Sequence, residues 1–158
     1  MKNVLNAFVF CRVVIGLFFV LVAVEKLLSH YQNFLYVVHG YQVFPAFFEE
    51  IVARTLPWIE LFLGLFLVLG LWLKPVLQGF CVLFAGFLII VGQAMIRGLD
   101  LSKCGCFGEW ISVPLPGVFV LDSTLLLFVI LMLLRFEKTS QWSLDRFFVS
   151  DEEKGSPP

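Results

Sequence analysis

The chain has 158 residues, of which 60% are hydrophobic and 15% are charged, with a net charge of −1 and a mean hydropathy of +0.96. This balance excludes an ordinary water-soluble domain, whose surface needs many more polar groups, and we expect no nucleic-acid partner because such proteins carry a basic surface. The composition predicts an integral membrane protein.

Four apolar stretches approach the roughly 20 residues that a helix needs to cross a bilayer. They cover about residues 4–28, 57–73, 76–96 and 117–136. The first is too long for the apolar core of a signal peptide, and Glu25–Lys26 stands where a cleavage site would have small residues. The sequence therefore predicts an all-α bundle of four transmembrane helices in the lipid bilayer over residues 1–136, and a partly disordered cytoplasmic tail over 137–158.

The connection between the first two spans, residues 29–56, is rich in aromatic side chains around Pro45. We expect part of it to lie in the membrane interface as a short amphipathic helix, since phenylalanine and tyrosine tolerate that depth. Pro57 suits the first turn of the second span, and Lys74–Pro75 can end that span before the third begins. Pro116–Gly117 has the same role before the fourth span.

The distribution of lysine and arginine gives a narrow preference for both termini in the cytoplasm, which rests on a difference of about one charge. In that orientation the connections 29–56 and 98–116 lie outside the cytoplasmic membrane, where disulfides persist. The loop between the third and fourth spans would then face an oxidising compartment.

Ionisable side chains inside apolar segments cost several kcal/mol unless they are paired, hydrated or able to reach the interface. In the predicted topology a group of them falls in the outer part of the bundle, namely Glu25, Lys26, Glu60, Arg97 and Asp122. They either form structural ion pairs, such as Lys26 with Glu60, or handle protons and ligands. Asp122 favours the second role, because a helix starting at Ser123 would be too short to cross the bilayer and this carboxyl group is therefore immersed.

The stretch "SKCGCFGEW" places Cys104 and Cys106 one glycine apart in the polar loop after the third span. A disulfide across one residue closes a small ring that departs from relaxed geometry, and glycine supplies the backbone freedom that the ring needs. Strain makes such a bond easier to reduce, and the neighbouring Lys103 and Arg97 favour the thiolate that attacks other disulfides. We interpret the two cysteines as a redox pair.

Two alternatives stay open for this pair. The thiolates can bind a soft metal such as Cu(I) or zinc together with His30 or His39, although two cysteines without a second pair are a weak metal signal and we assign no metal site. Alternatively, they are unpaired loop residues without chemistry. Cys11 and Cys81 are embedded in apolar spans, where lone thiols behave as small hydrophobic side chains.

Several motifs occur in a definite order along the chain. Arg12 and Gly16 lie in the first span, Glu25–Lys26–Leu27 closes it, "LPWIELFLGLFLVLGLW" forms the second span, and "RGLDLSKCGCFG" follows the third. This succession resembles the DoxX-like membrane proteins over about residues 8–135. The CGCFG motif is similar to that of the MauE branch, the methylamine utilisation protein E type.

The resemblance implies a four-helix bundle in the bacterial cytoplasmic membrane that takes part in redox chemistry with a periplasmic thioredoxin-like partner or a disulfide client. MauE-type proteins are linked with maturation of the disulfide-rich small subunit of methylamine dehydrogenase, but the resemblance leaves the client of this chain open. It implies Cys104 and Cys106 as the exchanging pair, and Arg97, Glu60 and Asp122 as supporting charges.

Related DoxX proteins are associated with electron delivery to quinone. A membrane quinone bound between the helices near the loop would contact Trp58 as an apolar surface, with Lys26 in the same site. The alternative to this thiol–disulfide oxidoreductase is a non-enzymatic membrane scaffold of a redox complex. Glycine faces on the spans also allow a homo-oligomer.

Overall fold

The structure of the chain is a computed structural model that describes residues 2–43, 45–98 and 114–135. Its five α-helices are α1 (Lys2–Leu28), α2 (Tyr31–Gly40), α3 (Ala46–Leu69), α4 (Leu73–Ile96) and α5 (Leu115–Leu134). Four of them, α1, α3, α4 and α5, are long and apolar enough to cross a membrane. The prediction of an all-α bundle with four spans is confirmed, whereas the predicted tail, residues 137–158, lies outside the described residues.

α3, the helix that contains the second span, begins at Ala46, whereas the sequence predicts a start at Pro57. Pro57 lies inside α3 and is buried. Proline costs a membrane helix less than a soluble one, because neighbouring groups can satisfy the backbone carbonyl that its ring leaves free. The aromatic segment 46–56, predicted as a connection, therefore forms the first turns of a long helix.

The remaining helix ends show where glycine and proline act. α3 ends at Leu69 because Gly70 adopts the left-handed conformation with a φ of 68°, which favours glycine. Lys74–Pro75 therefore does not end the second span, and Pro75 instead lies in the first turn of α4, where its missing N–H costs no hydrogen bond. Pro116 has the equivalent position in α5, close to the predicted start of the fourth span.

The connection after α1 contains the short amphipathic helix that the sequence predicts. α2 has 10 residues and packs on α3. Val38 is buried on its inner side, while Gln32 and Tyr36 are exposed on its outer side. The helix thus covers one end of the bundle.

α1 and α3 are antiparallel and form the most extensive helix pairing in the described structure. Their backbones meet at Gly16 and Gly64. A Cβ atom at Gly16 would lie 2.6 Å from Cγ2 of Val68 and 2.9 Å from the carbonyl oxygen of Gly64. Such an approach is possible only without side chains, as in other contacts of small residues between membrane helices.

Two apolar clusters join this pair to α4 and α5. The larger cluster includes Phe19 of α1, whose ring makes edge-to-face contacts with Phe80 and Phe84 of α4 at centroid distances of 5.0 and 5.4 Å. The second cluster consists of Tyr41, Val91, Ala94, Leu115 and Val118. It marks the end of the bundle formed by α2, the last turns of α1 and α4, and the first turns of α3 and α5, which we call the α2 end.

The glycine contact yields a matched pair of substitutions. Gly16→Ala places a methyl group against α3, so we expect a loss of about 1–3 kcal/mol in unfolding free energy and a lower thermal unfolding temperature in detergent. Gly86→Ala is the control, because a Cβ atom there meets nothing within 4 Å. Equal unfolding temperatures for the two variants would contradict the close approach of α1 and α3.

Candidate functional site

A buried ion pair between Lys26 and Glu60 lies at the α2 end. Nζ of Lys26 donates to Oε1 of Glu60 at 2.9 Å and to Oε2 at 2.8 Å. The exposed fractions of the two side chains are 2% and 0%. Lys26 belongs to the last turn of α1 and Glu60 to α3, so the pair that the sequence suggests as a structural contact is present and links these helices.

Lys26 also contacts α2. Its Nζ atom lies 5.0 Å from the centroid of the Phe34 ring, a distance at which the ring face attracts a cation. One ammonium group therefore holds together the end of α1, the middle of α3 and the first half of α2.

An apolar cavity lies beneath α2 beside this ammonium group. Phe34 and Val37 of α2, Val52 and Leu56 of α3 and Phe87 of α4 contribute to its wall. Its volume is about 50 Å³, and Lys26 is the one charged residue among the described residues that line it. The walls of the cavity are thus almost wholly apolar, and the Lys26 ammonium group beside it is held by Glu60.

Polar contacts hold the end of α2 and the chain that follows it. Nδ1 of His39 shares a hydrogen bond of 2.8 Å with Oε2 of Glu49, at the start of α3. Arg97, at the end of α4, donates through Nη1 to the carbonyl oxygen of Gln42 at 3.3 Å and through Nη2 to its Oε1 at 3.4 Å. Side chains therefore connect α2 to α3, and the residues after α2 to the end of α4.

Asp122 lies close to the level of the cavity. It is almost completely buried in α5. Phe119, one turn before it, contacts Gly92 of α4, with 3.6 Å between the ring and the position of a glycine Cβ. Asp122 is therefore level with the part of α4 between Phe87 and Gly92.

Trp58 has a different position from the other predicted site residues. It lies on the outer surface of α3 with 50% of its area exposed, and its ring stacks on Phe62 at a centroid distance of 6.3 Å. It is not among the residues that line the cavity. Phe34 and Phe87 occupy the wall instead, and only their packing against other helices distinguishes them from the many other phenylalanines of the sequence.

Cys104, Cys106 and Lys103 lie outside the described residues. The described residues on either side of their segment are anchored at the α2 end, because Arg97 bonds to Gln42 and Leu115 packs in the cluster with Tyr41. Cys11 and Cys81 are free thiols, half-buried against the larger apolar cluster, as the sequence predicts for lone cysteines in spans.

Comparison with known proteins gives one consistent result. Residues 3–135 match the family model described as methylamine utilisation protein MauE. Methylamine utilization protein MauE of Paracoccus denitrificans is 29% identical over 119 residues, which cover 73% of this chain and 61% of that relative. The chain thus aligns with about three-fifths of the relative's length. No solved structure matches the chain.

The buried ion pair leads to a stability prediction. Lys26→Met leaves the Glu60 carboxylate buried without its cation, and we expect it to lower the unfolding free energy by about 3–5 kcal/mol. The double variant Lys26→Met, Glu60→Met removes both charges and should recover most of that loss, as measured by thermal unfolding in detergent.

The exposed pair of Arg54 and Glu50, 4.0 Å apart, supplies the control. Glu50→Gln should leave the unfolding temperature unchanged, because exposed ion pairs contribute little. A double variant as unstable as Lys26→Met alone would show that lost packing, and not an unpaired charge, causes the effect.

Proposed function

Because the chain belongs to the MauE family of membrane proteins, we propose that it is a membrane thiol–disulfide exchange protein. Cys104 and Cys106 form the exchanging pair, and the partner is a periplasmic thioredoxin-like protein or a client that carries disulfides. The observation that carries the proposal is the anchoring of Arg97 and Leu115 at the α2 end. Both sides of the cysteine segment are held beside the buried charges and the cavity.

The exchange reaction moves two electrons. A thiolate of the reduced partner attacks one sulfur of the Cys104–Cys106 disulfide, and a mixed disulfide forms as the other sulfur leaves as a thiolate. The second thiol of the partner then resolves the mixed disulfide, so the partner leaves oxidised and the cysteine pair is reduced. Two electrons and two protons must then leave the cysteine pair before the next cycle.

A quinone dissolved in the bilayer is the acceptor that we propose for this step. Reduction of a quinone to a quinol takes up two electrons and two protons, which balances the oxidation of the dithiol. Asp122 and Glu60 are buried carboxyl groups near the level of the cavity and are the groups that we assign to proton transfer.

The proposal places the α2 end on the outer side of the bacterial cytoplasmic membrane, with both termini in the cytoplasm. Exposed aromatic side chains at this end support a position near the headgroups, since Tyr36 and Phe47 are 79% and 71% exposed. The name of the Paracoccus denitrificans relative suggests methylamine utilisation as the setting.

A second candidate function is a non-enzymatic scaffold of a membrane redox complex. The two hydrogen bonds from Lys26 to the carboxylate oxygens of Glu60 favour the scaffold, because these two charges then stabilise the contact between α1 and α3. In a scaffold the two loop cysteines would have at most a structural role.

Substitution of the loop cysteines separates the two candidates. Cys104→Ser with Cys106→Ser should abolish disulfide exchange with a thioredoxin-like protein, measured by trapping free thiols with a mass-shifting alkylating reagent. Cys11→Ser with Cys81→Ser should keep the full exchange rate, since those thiols lie against the core. Client oxidation that persists in the Cys104→Ser, Cys106→Ser variant would favour the scaffold.

The reduction potential of the loop pair provides an independent test. We expect a value above about −230 mV, in the range of exchanging disulfides, when purified protein is equilibrated in glutathione buffers. A value below about −300 mV would identify a structural disulfide and contradict the exchange function.

A further inference from the structure

The outward surface of α4 carries two glutamine side chains. Gln78 and Gln93 are both exposed, and the helical period of about 3.6 residues places them on the same side of α4. The rise between them is about 22 Å at 1.5 Å per residue, which is shorter than the roughly 30 Å of a bilayer's hydrocarbon core. Both amide groups therefore fall inside that core when α4 is centred in the membrane.

Within the described part of the chain, neither amide group has a hydrogen-bond partner. A glutamine amide offers two N–H donors and an oxygen acceptor. Lipid tails offer no partner for them, and a polar group without a partner in an apolar medium costs free energy. A second molecule that brings a matching polar group to this surface would remove that cost.

The other spans show how a single chain avoids this cost. On α3 the hydroxyl group of Thr55 donates to the carbonyl oxygen of Ile51 at 2.7 Å, and on α5 that of Thr124 donates to the carbonyl oxygen of Val120 at 2.8 Å. These two hydroxyl groups are satisfied by their own helices. The exposed side of α1 within its span carries large apolar side chains such as Leu21. Among the described spans, α4 thus differs in presenting amide groups to the lipid.

The surface between the two glutamines suits a second helix. Val82, Ala85 and Ile89 lie on it, and together with the glutamines they recur every three or four residues, the spacing of side chains that mesh between packed helices. Val82 and Ile89 are 75% and 70% exposed. Ala85 between them is small, which lets a neighbouring backbone approach. We call Gln78, Val82, Ala85, Ile89 and Gln93 the α4 face.

The membrane restricts the orientation of a second copy. All copies of the chain insert with the same topology, so two copies that pack through the α4 face are related by a two-fold axis along the membrane normal, with parallel α4 helices. In such a contact each residue on the axis meets its own counterpart. A glutamine amide is both donor and acceptor, and two identical amides can therefore bond to each other.

We propose that two copies of the chain form a parallel dimer through the α4 face. A second copy is the occupant that fits this face, because the two-fold axis supplies a matching amide at the depth of Gln78 and at that of Gln93 simultaneously. The glycine contact of α1 with α3 is not the interface, since Gly16 and Gly64 already meet within one chain. The inference does not depend on the cysteine chemistry.

Cross-linking of single cysteines tests the contact. Ile89→Cys is introduced into the full-length chain with its four native cysteines replaced by alanine, and the protein is oxidised with copper phenanthroline in vesicles at a high lipid-to-protein ratio. Val120→Cys is the control, because Val120 is 64% exposed and lies at nearly the same depth, next to the contact of Phe119 with Gly92. We expect at least tenfold more disulfide-linked dimer from Ile89→Cys than from Val120→Cys.

Removal of the amides tests what stabilises the dimer. The double variant Gln78→Leu, Gln93→Leu keeps an apolar face, and we expect its dimer dissociation constant to rise at least tenfold, measured by energy transfer between labelled copies in vesicles. Thr124→Val removes a polar group that bonds within its own helix, and it should change the constant less than twofold. Thermal unfolding in detergent shows that each variant is folded.

Three results would overturn the inference. A wild-type protein that is monomeric at every lipid-to-protein ratio would show that lipid covers the α4 face. Equal cross-linking of the Ile89→Cys and Val120→Cys variants would show that copies meet by random collision. An unchanged dissociation constant in the double glutamine variant would show that any dimer depends on other contacts.

Discussion

The cost of separating two opposite charges inside a membrane bundle determines how this protein is arranged. Lys26 and Glu60 are both buried, and each is tolerable in that position only beside the other. Their contact fixes the register of α1 against α3, and the meeting of Gly16 with Gly64 fixes the distance between the two backbones. Two contact points along the helices thus determine their relative placement, and the remaining helices pack on this pair.

The two halves of the bundle are packed differently. Away from α2, aromatic and aliphatic side chains such as Phe19, Phe80 and Phe84 interlock and supply cohesion. At the α2 end, the packing leaves a cavity beside an ammonium group, under a short helix that side chains hold in place. Cohesion and the cavity thus lie in different halves of the bundle, so a change in side-chain packing around the cavity leaves the interlocked half intact.

The sequence was most informative where physical constraints are strong. The four spans follow from the length of the apolar runs, and pairing of Lys26 with Glu60 follows from the cost of isolated charges. The start of α3 could not be predicted from Pro57, because the neighbouring helices that make an internal proline tolerable are not visible in a local pattern. The cavity could not be predicted either, since uniformly apolar helices do not reveal which faces meet. The role of Cys104 and Cys106 stays a prediction based on motif and family.

Pro57 also has a mechanical consequence. Its ring removes the hydrogen bond that the carbonyl group of Ala53 would otherwise accept, so α3 has a weakened joint less than one turn before Glu60. The segment 46–56 carries the cavity wall and contacts α2, whereas the segment after the joint packs against α1. A bend of α3 at Pro57 would therefore move the segment 46–56 relative to α4 and leave the contact of Glu60 with Lys26 in place.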